Sequence, residues 1–215
     1  MIFTSPYPAV AIPQDRIVYH YVDKHAREIG HKPAFVCGLT KRQVTFAQLR
    51  TQTRQIIAGL AANGIKRGDV VVVHSFNCIE YPVLFFALNR LGAVCSPSSP
   101  LFNPQELADQ ITLGKAKAVI SHKMLAPVAI AAAKLAGVPA NHTYTIAPGP
   151  GSFPVQSIEE LMAKDLPFPA NLAPVDPSAA VTLPFSSGTT GKPKGVEISG
   201  RALLACALHM QALEP

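Results

Sequence analysis

Pro184-Phe-Ser-Ser-Gly-Thr-Thr-Gly-Lys-Pro-Lys-Gly-Val196 is the stretch from which this chain is best read. Apolar Val181, Leu183 and Phe185 lead into it, so a strand is expected to run into a loop built almost wholly of small, hydroxylated and basic residues. Gly188, Gly191 and Gly195 lack a Cβ, which lets the backbone come close to another group. Ser186, Ser187, Thr189 and Thr190 supply hydroxyls, while Lys192 and Lys194 supply positive charge. Exposed N–H groups, hydroxyls and ammonium groups in one concave loop suit a polyanion such as a nucleoside triphosphate. The spacing is not that of a Walker A loop: Lys192 follows Gly191, but Ser186 stands where the first glycine of G-x-x-x-x-G-K-[ST] belongs.

On either side of the loop, apolar patterning alternates between strand and helix. Upstream, Pro33 to Cys37 and Gln43 to Phe46 read as a hairpin, and Thr45-x-x-Gln48 as a capping box opening a helix that Asn63-Gly64 stops. Asp69 to His74 is a run of valines, the pattern of a strand buried on both faces. Asn77-x-x-Glu80 reads as the cap of the next helix, whose segment Tyr81 to Leu88 is apolar all round. A short strand, Ala93 to Cys95, is expected to end in a rigid turn over Ser96 to Pro100, and Asn103-Pro104 with Glu106 marks a further helix start. Strands are expected at Ala118–Ser121 and Thr143–Ile146, helices at Met124–Leu135 and from Ser157. Pro167 to Pro177 reads as a stiff surface connector. Ala179 to Phe185 and Val196 to Ile198 are strands around the loop, and Arg201 to Leu213 is a helix with little polar face, expected to be covered by further protein. The fold class is α/β: a layered domain with a mostly parallel sheet flanked by helices.

Bulk properties narrow the function classes. The chain has 215 residues, 48% hydrophobic and 15% charged, which excludes disorder and allows a sizeable core. The net charge of +6 comes from scattered Lys and Arg, a bias toward anionic ligands and no nucleic-acid footprint. Cys37, Cys78, Cys95 and Cys206 share no C-x-x-C spacing and read as free thiols of a reducing compartment. The longest apolar run, Val83 to Leu88, is far below the roughly 18 residues of a membrane-spanning helix, and Met1 to Val10 is unlike a secretory signal. A cytoplasmic location is expected.

Ser186-Ser-Gly-Thr-Thr-Gly-x-Pro-Lys-Gly195 resembles the phosphate-loop signature of the adenylate-forming (AMP-binding) enzymes, which include acyl-CoA synthetases, 4-coumarate:CoA ligases, beetle luciferases and peptide-synthetase adenylation domains. Val44-Thr-Phe-Ala-Gln-Leu49 resembles an early helix start of that family. Leu91-Gly-Ala-Val-Cys-Ser-Pro-Ser-Ser-Pro100, with Pro104, Glu106, Leu107 and Gln110, resembles its second motif and leans toward the CoA-ligase branch, although Ser99 and Phe102 replace the usual Asn and Tyr. Gly200 stands where relatives often carry His.

The resemblance implies that residues 1–215 are part of the N-terminal (AMP-binding) domain of a longer enzyme whose C-terminal lid is absent here. It implies ATP-dependent activation of a small-molecule carboxylic acid to an acyl-adenylate and then a CoA thioester, with Mg²⁺. By the same resemblance, Ser186, Ser187, Gly188, Thr189, Thr190 and Gly191 bind the phosphates. Lys194 binds them too and is the catalytic cation, Thr190 reaches the Mg²⁺, and Lys192 is a solvated surface lysine. Two alternatives stay open: transfer to a carrier-protein thiol, and a non-catalytic nucleotide-binding or interaction module. The acid, the oligomeric state and any peroxisomal address are left open by these residues. Because the family's ribose-binding and lid segments are missing, the isolated chain is expected to give no acid-dependent exchange of pyrophosphate into ATP; robust exchange by the purified chain would overturn the family reading of its parts.

Overall fold

The computed structural model describes Tyr7, residues 9–186 and residues 193–213. In chain order the elements are α1 (Tyr19–Glu28), β1 (Pro33–Val36), β2 (Gln43–Thr45), α2 (Phe46–Ala62), β3 (Val70–His74), α3 (Glu80–Leu91), β4 (Val94–Ser98), α4 (Pro104–Leu113), β5 (Ala118–His122), α5 (Ala126–Leu135), β6 (Thr143–Ile146), β7 (Gln156–Ser157), α6 (Ile158–Ala163), β8 (Ala180–Thr182), β9 (Phe185–Ser186), β10 (Lys194–Gly195), β11 (Ile198–Ser199) and α7 (Gly200–Leu213). A seven-stranded sheet has the order β11-β8-β4-β3-β5-β6-β7. All its neighbours are parallel except β11 with β8. The hairpin β1–β2 and the ribbon β9–β10 stand apart from it.

The all-valine start of β3 explains its place near the middle of that sheet. Val71 and Val73 point to one face, where they join Leu49, Ile56 and Leu60 of α2, Leu84 and Leu88 of α3 and Leu161 of α6. Val72 points to the other, against Leu107 and Ile111 of α4 and Ala129, Ala132 and Ala133 of α5. Period-two alternation thus feeds two cores from one strand. Each fully buried Leu, Ile or Val contributes roughly 1.5–3 kcal/mol by area burial, so this double coverage holds the layers together. The faces follow the direction of travel. From β3 to β4 the chain steps one way across the sheet through α3; from β4 to β5 and on to β6 it steps the other way through α4 and α5. Right-handed crossovers require the covering helix to change face when the direction reverses.

Local signals held at several helix starts. Thr45, Asn103 and Ser157 each close a capping box, with Gln48, Glu106 and Glu160. Asn77 does not cap α3: that helix begins at Glu80, and its N-cap Ile79 makes no side-chain bond. The turn expected over Ser96 to Pro100 is also overturned, because β4 runs through Pro97 to Ser98. Pro97 is tolerated because it faces Val73 of β3, while β8 pairs with β4 at Cys95↔Thr182, short of the proline. The helix expected from Met124 starts at Ala126 after a 3₁₀ turn, and the short strand β7 carried no signal.

The proline-rich connector is more than a surface spacer. Val175 is buried, Phe168 and Leu172 pack on the core, and the Arg54 guanidinium lies 4.0 Å from the Phe168 ring centroid. Arg67 donates to the carbonyls of Ala173 and Pro174, and Arg90 to those of Leu172 and Ala173. These cations replace the regular backbone partners that prolines withhold. At the far end α7 buries Gly200 and Leu204 and leaves Met210 and Leu213 exposed, above an apolar groove of about 500 Å³ against α1, α2 and α3.

His74 ends β3 fully enclosed, with Nδ1 3.4 Å from the Ser121 hydroxyl. Burial pushes its pKa down, partly offset by the Ser99 backbone. His122, next to it on β5, is shifted down for the same first reason, against the carboxylates of Glu80 and Glu159. Between the folded pKa and the unfolded value near 6.5 the unfolded chain therefore holds the extra proton. Stability is then full above about pH 6.5 and falls as the pH drops through that window. Urea denaturation between about pH 7.5 and pH 5 is expected to show this loss, and His74→Leu is expected to reduce its slope. An unchanged slope in the variant would remove His74 as its source.

Candidate functional site

In a parallel sheet the crevice for a ligand opens at the carboxyl ends of the strands where the connections diverge. Here that point lies between β3 and β5, since the chain leaves the first toward β4 and the second toward β6. The rings of Phe76 and His122 meet there edge to face, 5.5 Å between centroids, and the His122 imidazole accepts the Met124 N–H at 3.2 Å. The chemistry signalled by the sequence lies instead beyond β8, on the other side of β4.

The strand expected over Ala179 to Phe185 divides. Its first part, β8, pairs with β4, and after Leu183-Pro184 the chain enters β9, which pairs antiparallel with β10. In this ribbon Ser186 stands directly opposite Lys194, and Phe185 opposite Gly195. Directly opposed residues send their side chains from the same face, so the Ser186 hydroxyl and the Lys194 ammonium share one side. Both residues are exposed, and among the described residues no carboxylate pairs with Lys194. A hydroxyl and an unpaired ammonium side by side are a donor set that suits phosphate oxygens. Ser187, Gly188, Thr189, Thr190, Gly191 and Lys192, which the sequence also singled out, lie outside the described residues. Among the described residues no group of three His, Cys, Asp or Glu could hold a metal ion.

The base of the ribbon is fixed by hydrogen bonds to β4. The Cys95 carbonyl accepts both the Leu183 N–H and the Thr182 hydroxyl, each at 2.8 Å. The Ser96 hydroxyl donates to the Leu183 carbonyl at 2.8 Å and accepts from Gln110 Nε2 at 3.0 Å; the same amide nitrogen donates to the Pro97 carbonyl at 3.0 Å. Across the ribbon the Val196 N–H reaches the Pro184 carbonyl at 2.9 Å. Gly195 is needed for close approach: a Cβ there would lie 3.1 Å from Leu183 Cδ1 and 3.3 Å from the Phe185 ring. Ser96 and Gln110 are therefore positioning residues for the ribbon. The sequence offered them as parts of a family motif, with no hint that one amide on α4 braces the strand leading to the loop.

Of the strand expected at Val196 to Ile198 only Ile198 is in a strand: β10 ends at Gly195 before it, and β11 is Ile198–Ser199. Gly200 follows as the first residue of α7, and a Cβ there would come within 2.7 Å of Ile17 Cγ2. Packing against Ile17 thus accounts for a glycine at this position.

A family model described as AMP-binding enzyme matches residues 22–215. The chain is 31% identical over 206 residues to 4-coumarate–CoA ligase 3 of Oryza sativa subsp. japonica, covering 95% of this chain and 36% of that protein. It is 33% identical over 210 residues to 4-coumarate–CoA ligase 5 of the same plant, covering 97% and 37%. It thus spans little more than a third of the length of these relatives. Among solved structures, a long-chain-fatty-acid-CoA ligase from Archaeoglobus fulgidus superposes with a TM-score of 0.84 at 24% identity, over 98% of this chain and 42% of that one. An anthranilate CoA ligase in complex with anthranoyl-AMP gives 0.77 at 22%, over 88% and 36%. These two likenesses concern the fold. No helix among the described residues is long and apolar enough to cross a membrane.

Gln110→Ala leaves the Ser96 hydroxyl and the Pro97 carbonyl without their buried donor, at a cost of about 1–3 kcal/mol. Hydrogen exchange at Leu183 and Val196 is expected to accelerate more than at Val72, which global loosening would not produce.

Proposed function

The chain belongs to the AMP-binding enzyme family, and on that premise we propose that the complete protein activates a carboxylic acid with ATP, forming an acyl-adenylate and then a CoA thioester. The relatives of highest similarity quoted above are named as 4-coumarate–CoA ligases, which favours CoA over a carrier-protein thiol as the acceptor and, between an aryl and a fatty acid, an aryl acid as the substrate. In this reading residues 1–215 form the N-terminal part of the nucleotide-binding domain. The carrying observation is the pairing of Ser186 with Lys194 on one ribbon, exposed and braced from behind by Ser96 and Gln110.

The reaction places its demand at the phosphates. A carboxylate attacks the α-phosphorus, and negative charge grows on the departing pyrophosphate, so donors aimed at that charge lower the barrier. Lys194 is proposed to meet the growing charge with its ammonium, and Ser186 to donate its hydroxyl to a phosphate oxygen. Ser187, Gly188, Thr189, Thr190 and Gly191 are proposed to complete the cradle with hydroxyls and backbone N–H groups, Thr190 facing Mg²⁺. When bound, Mg²⁺ would supply further neutralisation of the phosphate charge. Bracing of the ribbon matters because a donor held in place pays no reorganisation when the charge appears.

In the complete polypeptide Lys194→Ala is expected to slow acyl-adenylate formation about a hundredfold, equivalent to ~3 kcal/mol, with acid binding little changed. Lys192→Ala is expected to cost about 1 kcal/mol or less. Pre-steady-state measurement of the adenylate in both variants tests the assignment. Equal losses that shrink together with added salt would mean general attraction of ATP, and would remove Lys194 from its role.

A further inference from the structure

Away from the ribbon, a groove of about 540 Å³ separates the tip of the β1–β2 hairpin, residues 35–39, from the start of α3, residues 77–79 with Tyr81 and Pro82. Both sides carry a cysteine, Cys37 and Cys78, each half-buried. One ion pair holds the two sides in register. Arg42 faces Cys37 across the hairpin, its carbonyl accepting the Cys37 N–H at 2.8 Å, and its guanidinium pairs with Glu80, the first residue of α3. Cys78 precedes Glu80 by two residues, and the charge of Arg42 is felt by both thiols.

The two thiols differ. Cys37 lies in the hairpin turn, where its Sγ accepts the Thr40 N–H at 3.5 Å. Contact with the Thr40 side chain, then the Thr40 and Leu39 N–H groups and the Arg42 charge, draws its pKa below the usual thiol value. Burial pushes Cys78 up, against contacts from the Ser75 hydroxyl and the first N–H groups of α3. The remaining pair of cysteines is unlike either: Cys95 is fully buried beside Tyr81, its pKa pushed up to about 12, and Cys206 is exposed on α7.

We propose that Cys37 and Cys78 are a thiol modification site, joined by a reversible disulfide when the protein meets a hydroperoxide. The Cys37 thiolate attacks the peroxide O–O bond, taking one oxygen to become a sulfenic acid and releasing hydroxide, or alkoxide from an organic peroxide. The Cys78 sulfur then attacks the sulfenic sulfur; an S–S bond forms, the S–O bond breaks, and the sulfenic hydroxyl leaves as water by taking up the Cys78 thiol proton. Both thiols are oxidised and the peroxide is reduced. A disulfide needs Cα atoms within about 7 Å, so the proposal requires the hairpin tip to close across the groove toward α3. Leu39 at that tip is 95% exposed, so its own displacement breaks no packing. The bond would shut the groove over Tyr81 and tie the hairpin covalently to α3.

The purified protein is treated with hydrogen peroxide, alkylated, digested without reduction and mapped by mass spectrometry. A linked Cys37–Cys78 peptide, lost on adding dithiothreitol and unaffected by Cys206→Ser, is the expected result. In Cys78→Ser a dimedone adduct is expected to accumulate at Cys37. A map with Cys37 and Cys78 unlinked, with Cys206 the most reactive thiol, or with Cys37 trapped as sulfenic acid while an intact Cys78 stays reduced, would overturn the proposal. The wild-type map decides even where a variant fails to fold.

Discussion

A strand covered on both faces leaves no backbone polar group free to meet water, and β3 is such a strand. Its valines send alternate side chains into two separate cores, while its backbone pairs with β4 on one edge and β5 on the other. Every N–H and C=O in the interior of the sheet must therefore find a ladder partner. Around that paired sheet the helices divide, α2, α3 and α6 against one face and α4 and α5 against the other, as right-handed crossovers direct. The rest of the molecule is arranged around this slab.

The ribbon β9–β10 depends on the slab through few bonds. Two donors, the Thr182 hydroxyl at the end of β8 and the Leu183 N–H just after it, converge on the Cys95 carbonyl, and the Ser96 hydroxyl and Gln110 amide close the arrangement from the side of α4. Ser186 and Lys194 are thus exposed groups on a rigid mount. Such a mount costs little in stability at the exposed end and limits the freedom of the side chains that would meet a ligand. The connector clamped by Arg54, Arg67 and Arg90 works in a related way, with cations holding a prolyl segment that lacks ladder bonds of its own.

At Ser96 to Ser98 and at Gly200, what the sequence reading lacked was a contact between distant residues. Ser96-Pro97-Ser98 looked like a turn because proline withholds an N–H; it is strand because β8 stops short of Pro97. Asn77 looked like a helix cap by spacing, but α3 begins at Glu80 with Ile79 before it. The break between β8 and β9 came at Leu183-Pro184, where the chain leaves the sheet to form a separate ribbon. Gly200 appeared as a departure from a family pattern, and the structure accounts for it by the nearness of Ile17, 183 positions earlier.

Local chemistry is what the sequence determined by itself. Capping boxes at Thr45, Asn103 and Ser157, the valine run of β3, and the Ser/Thr/Gly/Lys composition of residues 186–195 are each legible because the interaction they specify closes within a few residues. The tertiary structure alone decided the order of the strands, the opposition of Ser186 to Lys194, the bracing by Ser96 and Gln110, and the meeting of Cys37 and Cys78 at one groove. Those arrangements join residues tens of positions apart, and their geometry is set by which faces must be buried together, a quantity that no single segment carries.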